Sequence, residues 1–179
     1  MTLTAEPEPA DRPTAPGMIV DISMHDDRWR EMDIDLHTLS QQAADLAVSG
    51  HDVTGAEIAI AFGSDEWVKQ LNKKFRGIDN ATNVLAFPGQ SDTPHLGDIA
   101  LARETIITEA TTENKAVTAH LSHLIIHACL HLLGYDHIET DDAAEMEALE
   151  IELLATIGIA NPYREIDPLA ASPEHQNYP

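Results

Sequence analysis

Apolar and polar positions along the chain follow two periods, and each change of period marks a new element. Residues 18–23, MIVDIS, read as a first strand. In residues 36–49, Leu36, Leu39, Ala43, Leu46 and Ala47 recur at helical spacing, and Gly50 ends the run. Residues 56–62, AEIAIAF, alternate as a half-buried strand does. Ser64 then caps an acidic first turn, Asp65 and Glu66, of a helix predicted to reach about Phe75. Two short apolar pieces follow, residues 83–88 and 97–102, joined by the turn-rich GQSDTPHL, and both predict strands. From Arg103 onward the pattern is helical, over 103–114, 117–133 and 140–157.

The segment 117–133 differs from the other helices. Leu121, Leu124, Ile125, Ile126, Leu130, Leu132 and Leu133 cover nearly its whole circumference, which predicts a buried central helix. Gly134 supplies the positive φ that ends it. The order strand–helix–strand–helix, then two strands and three helices, predicts an α+β fold: a small mixed four-stranded sheet packed with about five helices. The domain is expected at 18–161. Residues 1–17 hold four prolines and read as a disordered tail, and 162–179 as a loose one.

Composition narrows the function. The chain has 179 residues, enough for one sizeable core. It holds no run of the roughly 20 apolar residues that a membrane-spanning helix needs, so no membrane partner is expected. The N-terminus lacks the basic and apolar regions of a secretory signal, and Cys129, the single cysteine, cannot form an internal disulfide. Both point to the cytoplasm. A net charge of −21, with 31 acidic residues against 10 Lys plus Arg, argues on its face against a nucleic-acid partner. The charges are unevenly spread, however. Lys69, Lys73, Lys74 and Arg76 fall within eight residues, whereas much of the acid lies between Glu139 and Glu152. Only charges within a Debye length of about 8–10 Å set the local field. Lys69, Lys73 and Arg76 can share one helix face and are candidates for phosphate contact, Arg76 by bidentate bonding. The alternative is an ordinary solvated face. The carboxylates of 140–157 read as a solvated outer surface turned away from an anionic substrate.

Histidines carry the candidate chemistry. His127 and His131 stand four residues apart, about 6 Å along one helix face, and can converge on one ion. His137 arrives from beyond Gly134, giving a third ligand from another direction. Three neutral imidazoles predict one zinc per chain, with the fourth position open as in a catalytic centre. The alternative is three core histidines, each needing its own partner in a dry environment. His120 and His123 lie on nearly the same stripe, either behind the ligands or as hydrogen-bonded core groups. Asp136 either orients a ligand histidine or shapes the turn. The spacing His-x3-His-x2-Gly-x2-His is also that of metzincin proteases, which place a glutamate after the first histidine. Here Ala128 takes that position, which shifts weight from peptide to phosphodiester cleavage.

The segment 123–137, HLIIHACLHLLGYDH, resembles the signature of the YbeY family of bacterial endoribonucleases, His-Gly-x-Leu-His-Leu-x-Gly-Tyr-Asp-His. LNKKFRGIDNATNVLAFP, from 71 to 88, resembles a second block of that family, and LGDIAL, from 96 to 101, a third. Ala128 stands for the usual glycine, Asn83 for the commoner aspartate and Ala86 for serine. The resemblance implies a single-strand-specific, metal-dependent endoribonuclease acting in maturation of the 3′ end of 16S ribosomal RNA and in ribosome quality control. It implies a site of His127, His131, His137 and Arg76. It also implies ribosomal RNA, the small ribosomal subunit and assembly factors as partners, and no DNA. Two other functions compete: a zinc hydrolase acting on a peptide or small molecule, and a non-catalytic assembly factor with structural zinc.

Overall fold

A computed structural model describes residues 17–135 and 140–164. The tails expected at 1–17 and 162–179 lie almost wholly outside the described residues, as do Asp136 and His137. Within them the order is β1 (Ile19–Met24), α1 (Leu36–Val48), β2 (Glu57–Gly63), α2 (Asp65–Arg76), β3 (Val84–Pro88), β4 (His95–Ala102), α3 (Arg103–Thr112), α4 (Val117–Leu132) and α5 (Thr140–Thr156). The mixed four-stranded sheet and five α-helices expected from the pattern are present. Strand order is β1-β2-β4-β3. β1, β2 and β4 run parallel, and β3 closes one edge antiparallel to β4.

Two features escape the hydrophobic pattern. A 3-10 turn at Asp27–Glu31 starts from Asp26, whose side chain accepts from the Arg28 amide. It buries Trp29 completely, and the indole Nε1 donates to the Gly63 carbonyl at 3.0 Å. β4 also begins two residues early, at His95, because Glu57 of β2 pairs with it before the register shifts.

Burial along β4 sorts the sheet's two faces. Ile99 and Leu101 join the main core, whereas Ala100 and Ala102 face Val68 of α2 in a second, smaller cluster. β3 divides the same way: Val84 and Ala86 pack towards the main core, Leu85 and Phe87 towards α2. α4 is the central helix. Leu121, Ile125, Ile126 and Leu130 are fully buried, each contributing roughly 1.5–3 kcal/mol of transfer free energy. Gly134, with φ +100°, turns the chain after α4 as the sequence predicts. Gly77, at φ +72°, caps α2 and donates to the Lys73 carbonyl, which fixes Arg76 at the helix end.

Candidate metal and phosphate site

One face of α4 carries a row of imidazoles. His127 and His131, one turn apart, meet with their Nε2 atoms 3.1 Å apart. Each ring donates from its other nitrogen. His127 Nδ1 donates to Glu150 Oε1 at 2.7 Å, and His131 Nδ1 to the Tyr135 carbonyl at 2.9 Å. With the proton on Nδ1, each ring presents a lone pair at Nε2. Two lone pairs facing across 3.1 Å suit a shared cation. Placed about 2.0–2.1 Å from one zinc ion, the two nitrogens subtend roughly 95–100°, within reach of tetrahedral coordination. The donor set therefore fits a metal.

The carboxylate that α4 lacks comes from α5. Glu150 is completely buried and takes three hydrogen bonds: His127 on Oε1, and His123 (2.8 Å) and the Tyr163 hydroxyl on Oε2. Burial penalises its charge, but the bonds from His123, His127 and Tyr163 outweigh this and hold the carboxyl down at about 2. A carboxylate behind a ligand histidine fixes its tautomer and raises its basicity. His123, His127 and Glu150 also form a cluster whose ligand atoms lie within 4.8 Å of one another, the one three-residue metal-competent group of this kind among the described residues. An ion held by the converging His127 and His131 would lie on the Nε2 side, with Glu150 behind.

Glu150 was hidden in an acidic helix whose carboxylates read as solvent-facing. The signal was its phase. Met146, Glu150, Leu153 and Leu154 follow i, i+4, i+7, i+8, so this one glutamate lies in the buried apolar stripe. His120 has a separate partner: its Nε2 donates to Glu109 Oε2 at 2.8 Å, and Asn83 Nδ2 donates to the same oxygen at 2.9 Å. Cys129 takes no part in such chemistry, because burial pushes its thiol up to about 12.

A cleft of about 630 Å³ opens over the histidines, bordered by His127, His131, Asn83, Ala86 and Arg76. Arg76, the last residue of α2, donates from Nη2 to the Ala86 carbonyl at 3.2 Å. The structure thus places Arg76, His127 and His131 around one cavity. Lys69 and Lys73 lie elsewhere: both reach Asp79, at 3.7 and 2.9 Å. The hydrogen bond from Lys73 and its charge keep that carboxyl below the usual aspartate range. His137 and Asp136 are outside the described residues.

Comparison with known proteins gives a consistent result. The profile of a family described as Endoribonuclease YbeY matches residues 21–158. An Endoribonuclease YbeY from Methylocella silvestris is 42% identical over 164 residues, covering 86% of this chain and 89% of that protein. One from Bradyrhizobium diazoefficiens is 45% identical over 149 residues, covering 78% and 81%. One from Maricaulis maris is 43% identical over 150 residues, covering 83% and 94%. A solution structure of a Thermotoga maritima protein matches with a TM-score of 0.53 at 23% identity, covering 84% of this chain and 98% of that one, and so shares the fold.

Proposed function

The chain belongs to the YbeY endoribonuclease family, and on that premise we propose that it is a zinc-dependent endoribonuclease that cleaves single-stranded ribosomal RNA. The observation that carries this proposal is the convergence of His127 Nε2 and His131 Nε2 in a cleft that Arg76 also borders. His137 completes the proposed ligand set, three residues beyond Gly134.

When bound, zinc supplies positive charge beside the scissile phosphate and lowers the pKa of water to near neutrality. The protein's own groups do the positioning. Glu150 and the Tyr135 carbonyl lock the two imidazoles in the tautomer that binds metal. The Arg76 guanidinium, held by the Ala86 carbonyl, binds the phosphate and offsets charge that grows as the P–O bond breaks. Among the described residues no helix is long and apolar enough to cross a membrane, which is compatible with work on ribosomes in the cytoplasm.

The test compares wild type, Arg76→Ala and His131→Ala on single-stranded precursor ribosomal RNA, with zinc measured on each. His131→Ala should lose zinc and cleavage together, because it removes one of three ligands. Arg76→Ala should keep its zinc yet lose about 10²–10³-fold in cleavage, the cost of removing one preorganised charge-stabilising donor. Wild-type cleavage by Arg76→Ala would remove Arg76 from the reaction, and full zinc retention by His131→Ala would refute the metal centre.

A further inference from the structure

The far side of β3 carries a second concavity that the reaction at the histidines does not use. It is a groove of about 560 Å³ between α2 and the sheet, lined by Trp67, Leu71, Phe75, Phe87, Pro88 and Ala100. Phe75 is 58% exposed, unusual for a large aromatic beside a covered sheet face. Its ring meets Phe87 edge to face, with centroids 5.3 Å apart. Cations sit over both rings, Lys74 Nζ 5.0 Å from Phe75 and Arg76 Cζ 5.9 Å from Phe87. Lys69 and Lys73 are paired with Asp79, but Lys74 and Arg76 form no ion pair with a carboxylate among the described residues. Of the four cations in this cluster, the two without a carboxylate partner are therefore those at the aromatic rings.

Groove and histidine cleft adjoin across β3. Pro88 borders both, and the pleat of β3 sends Ala86 to the cleft and Phe87 to the groove. Arg76 stands at the crossing, bonded to the Ala86 carbonyl and lying over Phe87. A strand with its phosphate at Arg76 would bring a neighbouring base to the aromatic rings. We propose that this groove is a nucleobase-stacking subsite, in which Phe75 and Phe87 receive one base of single-stranded RNA flanking the scissile phosphate. Aromatic rings with cations seated over them match a flat base on an anionic backbone. Asp98 also borders the groove and offers an acceptor to an exocyclic amine. The subsite rests on the endoribonuclease proposal and adds a determinant of substrate position to it.

The test uses the zinc-loaded protein and single-stranded oligoribonucleotides, one series carrying 2-aminopurine and a matched series carrying one abasic site at successive positions. Phe75→Ala should weaken binding about tenfold, the loss typical of one stacked base, and abolish 2-aminopurine quenching. Phe75→Tyr should restore both. Zinc content should not change, and neither should the salt slope of binding, because no phosphate contact is removed. At one position the abasic oligonucleotide should bind wild type as weakly as the intact one binds Phe75→Ala, with no further loss when the two changes are combined. If wild type binds and cleaves the oligonucleotides while Phe75→Ala binds them with unchanged affinity and quenching, the subsite is wrong and the endoribonuclease proposal stands. The groove would then be a site for a protein partner. If wild type neither binds nor cleaves them, both proposals fall.

Discussion

Replacing Glu150 by glutamine removes the charge behind the histidines while keeping the shape of the side chain. Three donors converge on this carboxylate: His127 Nδ1, His123 Nε2 and the Tyr163 hydroxyl. A glutamine offers one oxygen, and beside its amide nitrogen a group that donates to the carboxylate must turn acceptor, as the Tyr163 hydroxyl can, or lose its bond. Hydrogen bonds to a charged acceptor contribute about 1.5–3 kcal/mol each, against about 0.5–1.5 for neutral pairs, so several kcal/mol of interaction is lost. Neutralising a fully buried carboxylate also removes a desolvation cost of several kcal/mol. The two effects oppose each other, so unfolding measurements are a poor readout. Metal affinity is a better one, because the tautomer and basicity of His127 depend directly on the carboxylate. Zinc should bind about 10–100-fold more weakly in Glu150→Gln, the usual cost of losing such a partner. Competition with a chromophoric chelator measures the constant, and imidazole ¹⁵N shifts report whether His127 still carries its proton on Nδ1. Zinc affinity within twofold of wild type, with unchanged shifts, would show that Glu150 only fills space.

Two further substitutions probe the surroundings. In Asn83→Asp a second carboxylate would stand 2.9 Å from Glu109 Oε2, an oxygen that His120 already engages. Urea unfolding at pH 7 should show a loss of roughly 1–3 kcal/mol. The loss should shrink as pH falls, because proximity raises one carboxyl's pKa and protonation then restores a donor; a loss that grows with acid would contradict this. Lys73→Ala breaks only an exposed pair with Asp79 and should change stability by less than about 1 kcal/mol. It should also lower the salt slope of RNA binding less than Arg76→Ala does, and an equal drop would place Lys73 on the phosphate path.

Elements with a clean period were legible in the sequence. The central helix could be read because its apolar residues ring the whole circumference, and α2 because Ser64 and the acidic first turn mark its start. The Asp27–Glu31 turn was not, since five residues hold no period and its single apolar anchor, Trp29, is buried by contacts distant in sequence. The same limit applies at the site. His127 and His131 are local, one helical turn apart, and declare themselves. Glu150 lies on another helix among many carboxylates, and only its phase against Met146, Leu153 and Leu154 separates it from the solvated ones. Lys69, Lys73 and Arg76 look equivalent at helical spacing. What distinguishes them is Asp79, which the loop after Gly77 brings back against the helix to engage the two lysines.

These placements explain how a chain of net charge −21 can face an anionic substrate. Two of its carboxylates are turned inward and spent on imidazoles, Glu109 on His120 and Glu150 on His123 and His127. Others are paired with basic side chains on the surface, as Asp26 and Glu104 are with Arg28. A carboxylate that accepts imidazole N–H bonds is partly screened by them and projects less negative potential into the cleft. The cations without a carboxylate partner near the cleft lie at the C-terminal end of α2, where Lys74 and Arg76 also complement the helix dipole, with Asp98 as the carboxylate that borders the adjoining groove. The global charge then repels polyanions from most of the surface, and the proposed function brings a single strand in at one edge of the sheet, β3.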